Sequence, residues 1–192
     1  MEFISEKFSV LDSERLLFKK FSNDALDFIL YYLSDEERTR YLPLGNSYSK
    51  HEAEDWLKNR VLHWEKNNFG VYLLLNRESE KAIGYCGIEF VMDSEYVEIC
   101  YGLTQDSWGK GYALEAALLM IKHGLKTLHL KTIYGAVVPG NSASKNILKK
   151  CGMVEDNSFN LYGNSVESFS INVEKRSEIW KDIWIALIMF RY

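Results

Sequence analysis

Prolines and cysteines are scarce in this sequence, two and three in 192 residues. So little proline excludes a polyproline linker or a proline-rich tail. The cysteines, Cys86, Cys100 and Cys151, are odd in number and stand 14 and 51 positions apart. That pattern has neither the paired spacing of a zinc site nor an even disulfide framework, so free thiols with packing roles are expected, and no metal. Long apolar runs are lacking too. The longest, Ile183 to Phe190, is eight residues, whereas a membrane-crossing helix needs roughly 20, so no integral membrane span is expected. The opening Met-Glu-Phe-Ile-Ser-Glu-Lys carries acid where a signal peptide carries base, which points to the cytoplasm. Positive charge is in deficit: 23 Lys and Arg against 27 Asp and Glu give a formal charge of −4. A nucleic-acid binder normally presents a basic face, so nucleic acid is excluded as a partner and a cationic partner is allowed.

What is present is the composition of one folded domain. Hydrophobic residues make up 47% and charged residues 26%, enough apolar surface to offset the entropy of ordering the chain. No repeat or linker divides it. The reading is a single domain over residues 1–176 followed by an apolar extension over 177–192. There Ile179, Ile183, Leu187 and Phe190 recur at helical spacing, which predicts a helix docked on its own domain, with a homodimer contact or an interfacial membrane segment as the other uses of such a face.

Within the domain the hydrophobic period predicts a strand at Arg15 to Phe21 and a helix from Asn23 to Leu33 capped by its Asn and Asp. A polar loop follows. Ala53, Trp56, Leu57, Val61 and Trp64 predict a helix over Lys50 to Asn67. Phe69 to Asn76, Ala82 to Val91 and Tyr96 to Leu103 read as an antiparallel meander rich in β-branched and aromatic residues. Leu114 to Leu125 is apolar on most sides, a buried helix lying on the sheet. Leu130 to Val138 is then a strand parallel to Tyr96 to Leu103. Asn141 to Lys150 is a short helix with Asn141 or Ser142 as N-cap and Gly152 just past its end. Met153 to Leu161 and Glu167 to Val173 close the domain as a hairpin around Tyr162-Gly-Asn. The fold class is α/β in the α+β sense, a mixed, mostly antiparallel sheet flanked by helices.

The feature richest in chemistry is a strand that runs into Gly109-Lys110-Gly111 and opens a helix at once. Two glycines let the backbone approach a ligand closely, and the first-turn amides with the positive end of the dipole make an anion site suited to phosphate. A Walker loop needs four residues between its first glycine and Gly-Lys, then Ser or Thr. Here six separate Gly102 from Gly109, and Gly111 follows Lys110, so an ATP-hydrolysing loop is excluded. A dinucleotide fingerprint would need glycine where Leu114 stands.

The wider pattern is Trp108-Gly-Lys-Gly-Tyr-Ala113-Leu-Glu115-Ala, followed 28 residues on by Asn141-x-x-Ser144-x-x-x-Leu148-x-Lys150-x-Gly152-Met153. With the opening Ser13-Glu14-Arg15-Leu16-Leu17, it resembles the GCN5-related N-acetyltransferase superfamily, in the branch containing the ribosomal-protein alanine N-acetyltransferases. The resemblance spans roughly residues 12–175. It implies acetyl-CoA as co-substrate and direct transfer of the acetyl group to a primary amine, such as a protein N-terminus. It also implies that Gly109, Lys110, Gly111, Tyr112 and Ala113 hold the pyrophosphate, while Tyr101 and Leu103 line the pantetheine arm between splayed parallel strands. Asn141 is either a helix cap or a cofactor contact, or both.

Two positions depart from the superfamily's pattern. Trp108 replaces the usual Gln or Arg, which leaves amide-based phosphate binding intact. Leu148 stands where many members carry the tyrosine that acts as general acid, leaving Ser144 or an ordered water as the nearest substitute. That loss is compatible with catalysis, because a thiol with a pKa of about 8.5 leaves far more readily than an alkoxide. It also admits a second reading, a CoA-binding sensor or scaffold without turnover. Polyamines, antibiotics and amino acids stand as alternative acceptors.

A base is still needed, since an α-amino group with a pKa near 8 is only about a tenth neutral at pH 7. Glu98 is the candidate. In Tyr96 to Leu103 the pleat puts Val97, Ile99 and Tyr101 on one face and Glu98, Cys100 and Gly102 on the other. A turn centred on Asp93-Ser94 would set Glu89 directly opposite Glu98, and two like charges there would raise one pKa toward neutrality. A three-residue loop would put Glu89 on the far face. Cys100 has no histidine beside it in sequence, and direct transfer needs no acyl-enzyme. The four histidines lack ligand-like spacing. The resemblance also implies an acceptor site built largely by the first two helices and their connection, where the acids of Ser34 to Gly45 would either attract an ammonium or form the solvated end of a helix.

Overall fold

The computed structural model describes residue 11 and residues 13–91, 94–158 and 162–172. The extension at 177–192 lies outside the described residues. Seven strands form one sheet in the order β1-β2-β3-β4-β5-β7-β6. They are β1 (Leu16–Lys20), β2 (Val71–Asn76), β3 (Ala82–Phe90), β4 (Val97–Leu103), β5 (Thr132–Val137), β6 (Val154–Glu155) and β7 (Glu167–Asn172). Among the described residues five helices accompany them: α1 (Leu26–Leu33), α2 (Glu36–Thr39), α3 (Lys50–Asn67), α4 (Tyr112–Lys126) and α5 (Ser142–Lys150). All neighbouring strands run antiparallel except β4 and β5. This is the mixed, mostly antiparallel sheet that the hydrophobic period predicts.

The helices cover both faces, which the strand pleat makes checkable. Tyr85 and Ile88 on β3 are three residues apart and therefore point to opposite sides. The ring of Tyr85 packs edge-on against Trp56 of α3 at 5.1 Å and Tyr32 of α1 at 5.3 Å. Ile88 reaches α4, where a Cβ on Gly124 would stand 2.9 Å from its Cδ1 and 2.7 Å from that of Ile133. Gly124 thus lets α4 lie close on the sheet. Covered on both sides, β2 and β3 bury consecutive residues, Val71 to Leu74 and Ile83 to Ile88, a pattern of near-continuous apolar character. Each aromatic pair of the Tyr32, Tyr85 and Trp56 cluster adds roughly 0.5–1.5 kcal/mol beyond its area burial.

Local chemistry sets the boundaries. α3 begins in a capping box: Ser49 Oγ accepts from the Glu52 N–H, and the Glu52 carboxylate accepts from the Ser49 N–H at 2.8 Å. α5 begins at Asn141, whose Oδ1 accepts from the Ser144 N–H at 3.1 Å, and ends before Gly152 at φ 81°. Three expectations need correction. Asn23 and Asp24 do not cap a helix. They form a 3-10 turn, Asn23–Ala25, in which Asp24 pairs with Lys19 and accepts from Ser22 instead. The loop after α1 contains the short α2, N-capped by Asp35. The closing hairpin pairs β6 with β7 as expected, but β6 has two residues where Met153 to Leu161 was expected, and the Tyr162-Gly-Asn connection runs into a 3-10 turn, Gly163–Ser165.

Candidate active site

The β4–β5 pairing is recorded at one position, Glu98 opposite Tyr134. Two residues further along β5, the Ala136 N–H donates to the Glu98 side chain, at 3.0 Å to Oε1, rather than to a β4 carbonyl. The carboxylate therefore sits where the two parallel strands part. Its other oxygen, Oε2, accepts from the Tyr162 hydroxyl at 2.6 Å.

The expected register holds, with Glu89 opposite Glu98, but the expected cause of its pKa does not. Glu98 is pushed up to about 7 chiefly by burial, while Tyr162 and the Ala136 N–H pull it down and the charge on Glu89 adds the smallest push. The reason lies in α3. Arg60 Nη2 binds Glu89 Oε1 at 2.9 Å, which spends the charge that was to repel Glu98. Arg60 lies flat on Trp56, 3.6 Å from the ring centroid, so its charge is held at the sheet by stacking. Its place was legible: it falls four residues after Trp56 and four before Trp64, a cation on the apolar stripe of a helix.

The glycine loop has the form of an anion cradle. Gly109 and Gly111 adopt φ of 72° and 79°, the left-handed region that a side chain disfavours. A Cβ on Gly109 would meet nothing within 4 Å, so open space adjoins the loop. No side chain caps α4, whose N-cap is Gly111, so its first-turn amides remain for a ligand. The first turn also carries an acid, Glu115, which would oppose an anion. Arg15 neutralises it, with Nε at 2.7 Å and Nη2 at 2.6 Å from Oε2. Arg15 Nη1 also donates to the Lys110 carbonyl at 2.9 Å. Holding that oxygen orients the Lys110–Gly111 peptide, whose N–H then points the opposite way. Tyr112 is fixed by Arg15 over its ring at 4.7 Å and by Asn76 Nδ2 donating to its hydroxyl at 3.2 Å. Ala113 follows in the same turn. Trp108 acts as a strap, its Nε1–H donating to the Leu103 carbonyl at 2.8 Å.

On the α4–α5 side of the sheet, Tyr101 spans the gap to α5. Its hydroxyl donates to the Ser144 carbonyl at 3.2 Å and lies 2.9 Å from Ser144 Oγ. Burial raises the Tyr101 pKa above the usual tyrosine range, so the phenol stays neutral. Asn141, Ser144 and Tyr101 thus form one chain, while Leu103 packs beneath Gly84. Glu98 and Tyr101 are three residues apart on β4, so they project to opposite faces, and Ser144 is not beside Glu98. Leu148 is buried against β5, where a Cβ on Gly135 would lie 2.9 Å from its Cδ1. The position of the missing tyrosine is therefore core.

A sheet that opens at a carboxylate, with a glycine cradle at the head of the following helix, matches a known family. The sequence family described as "Acetyltransferase (GNAT) domain" matches residues 15–154. The chain belongs to the GNAT acetyltransferase family. It is 30% identical over 155 residues to the uncharacterized N-acetyltransferase p20 of Bacillus licheniformis, covering 76% of this chain and 85% of that one. An acetyltransferase structure from Agrobacterium tumefaciens superposes with a TM-score of 0.78 at 20% identity, over 90% of this chain and 99% of that one. The Vibrio cholerae spermidine N-acetyltransferase, in complex with CoA and spermine, gives 0.67 at 19% identity, over 84% and 97%. This GNAT chain is accordingly an acyl-CoA-dependent N-acetyltransferase acting on amines.

In the GNAT loop before α3, Asp35 caps α2 and Glu37 accepts from Gln105 Nε2 at 3.3 Å. Asp35 and Glu37 thus have partners in the fold, while Glu36 is exposed in the first turn of α2. Cys86 and Cys151 are buried and Cys100 partly so, all three free thiols. Burial raises the Cys100 thiol well above its usual range, which disfavours a nucleophilic thiolate. His63 is a clamp between α3 and the sheet. Tyr162 is the residue that sequence reasoning missed. It lies 64 positions from Glu98 in a turn segment, and no spacing rule connects the two. Among the described residues, no helix is long and apolar enough to cross a membrane, and no group of three or more His, Cys, Asp and Glu is arranged for a metal ion.

Proposed function

We propose that this enzyme acetylates an α-amine at the N-terminus of a protein, with Glu98 as the general base. The observation that carries this reading is a carboxylate at the parting of β4 and β5 whose pKa of about 7 is matched to proton removal near neutral pH. The resemblance of the opening segment and of the Trp108 and Asn141 motifs to the ribosomal-protein alanine branch supports a protein N-terminus. Such an amine, with a pKa near 8, needs a proton removed less often than a lysine near 10.4.

The chain's residues divide the work. The amides of Gly109 to Ala113 would take the phosphates of acetyl-CoA, with Lys110 at the loop's outer edge, and Tyr101 and Leu103 would line its arm. Bound there, acetyl-CoA supplies an acetyl thioester, which the amine opens to give the amide and the free thiol. Glu98 takes the ammonium proton at a carboxylate oxygen, on the α1–α3 side. On the other side the departing thiolate takes a proton through the Ser144 hydroxyl, in contact with Tyr101, and the second proton that the attacking nitrogen sheds as the intermediate collapses restores that hydroxyl. Asn141 commits its Oδ1 to the Ser144 N–H and so orients that hydroxyl, leaving its amide NH2 for the cofactor. The cytoplasm is where such an acceptor and acetyl-CoA meet.

The test is thiol release from acetyl-CoA with three acceptors: a peptide with a free N-terminus, the same peptide blocked at its N-terminus but carrying lysine, and a polyamine. Turnover on the first is expected, and Glu98→Gln should lower kcat/KM at pH 7 by about 10²–10³. Preference for the polyamine would overturn the acceptor, and CoA binding without turnover on any amine would leave a sensor or scaffold. Wild-type rates in Glu98→Gln would remove the base.

A further inference from the structure

This inference rests on the reading of Glu98 as the base. Tyr162 enters the site from the segment between β6 and β7. Its backbone is set by the following 3-10 turn, where Gly163 takes φ of 65° and the Ser165 hydroxyl donates to the Tyr162 carbonyl at 2.7 Å. The tyrosine is 41% exposed, yet its hydroxyl reaches inward to Glu98 Oε2 at 2.6 Å. The two oxygens of Glu98 thus accept from donors of different origin, one the fixed backbone of β5 and the other a phenol from outside the sheet core.

Of the other titratable groups on this face, Tyr134 of β5, opposite Glu98, packs edge-on against Tyr96 at 5.0 Å, which leaves Glu89 and Cys100. Glu89 on β3 is bound by Arg60 of α3. The Cys100 thiol on β4 is directed at Glu89 Oε1 at 3.9 Å. Neither fixes the orientation of Glu98, whereas the phenol does so from the segment between β6 and β7.

We propose that Tyr162 is a positioning residue for Glu98: its hydroxyl pins the carboxylate between β5 and the β6–β7 segment and keeps the acceptor-facing oxygen in place. Two donors on two oxygens leave one torsional setting favoured. Removing the phenol's donor frees the carboxylate to rotate about its last bond while Ala136 still holds one oxygen. Donation to the ionised form also draws the pKa of Glu98 down against the push of burial. The phenol itself is not an exchangeable acid here, because burial and the neighbouring carboxylate both raise its pKa.

Tyr162→Phe removes the hydroxyl and little else. The expected result at pH 7 is a kcat lowered about 3- to 30-fold with KM for acetyl-CoA unchanged. The acid limb of the pH–rate profile should also move to higher pH. In the enzyme without acceptor, the Glu98 carboxyl, followed by 13C NMR against Glu98→Gln for assignment, should titrate higher in Tyr162→Phe than in the wild type. An unmoved midpoint and limb would overturn the proposal, even if kcat fell, because that pattern belongs to a merely structural turn. The two readings fail separately. Full activity in Glu98→Gln removes the base, while an inactive Glu98→Gln beside a Tyr162→Phe that matches wild type removes only the positioning role.

Discussion

On its proposed role as base, Glu98 pulls rate and stability in opposite directions. Its pKa rises from the usual 4.5 to about 7 in the folded protein, so the folded state holds the proton more tightly than the unfolded chain does. The stability it contributes is complete below pH 4.5 and is lost as pH rises through about 7, while its competence as a base grows over the same span. Glu98→Gln removes the charge and keeps the shape, its oxygen accepting from Ala136 and its NH2 donating to Tyr162. The variant should therefore be more stable than wild type at pH 8, by about 3 kcal/mol, and nearly equal to it at pH 4.5. Urea midpoints at the two pH values check this, and a difference independent of pH would contradict it. The glutamate's location was legible, because an acid stood in an apolar strand next to the glycine loop. The origin of its pKa was not, because the sequence does not say that Arg60 would neutralise Glu89.

At the scale of elements, the helices and their ends carry the cleanest sequence signals. α3 runs over the 18 residues that the apolar period marks, because a stripe facing a sheet must repeat at three and four. α5 starts at the Asn141 cap and ends before Gly152 for reasons of local hydrogen bonding that need no tertiary contact. α2 was hidden and β6 was expected to be longer, since short elements owe their form to packing rather than to propensity. Leu148 shows what an element's interior fixes. It is 2% exposed and fills the space above Gly135, so returning a tyrosine there would overpack the α5–β5 contact. Leu148→Tyr should lose about 1–3 kcal/mol in thermal or urea unfolding without gaining rate in the thiol-release assay. A faster, equally stable variant would show instead that the site merely lacks its acid.

The whole molecule is tied together by groups that join distant segments in one protonation state. His63 near the end of α3 has Nδ1 2.9 Å from the Phe69 carbonyl and accepts the Phe90 N–H on Nε2 at 3.0 Å. This requires the neutral ring, with the proton on Nδ1, and burial lowers its pKa from the usual 6.5. Its contribution is present above pH 6.5 and fades as pH falls below it, since the unfolded chain takes up the proton first. Between pH 7 and pH 5 the wild type should lose more unfolding free energy than His63→Gln. Parallel declines in the two would refute the clamp.

The sequence by itself determined the family, the glycine cradle, the order of the strands and of the four longer helices, and the strand that carries Glu98. Each of these is written in local spacing, in which a period of two or of three to four, a cap or a pair of glycines has the same meaning wherever it stands. Tertiary structure alone decided how the carboxylate is held. Arg60 from a helix, Ala136 from the next strand and Tyr162 from a turn 64 residues away converge on the Glu89–Glu98 pair, two of them on Glu98 itself. Burial and hydrogen bonding there depend on distances through space that no sequence spacing encodes.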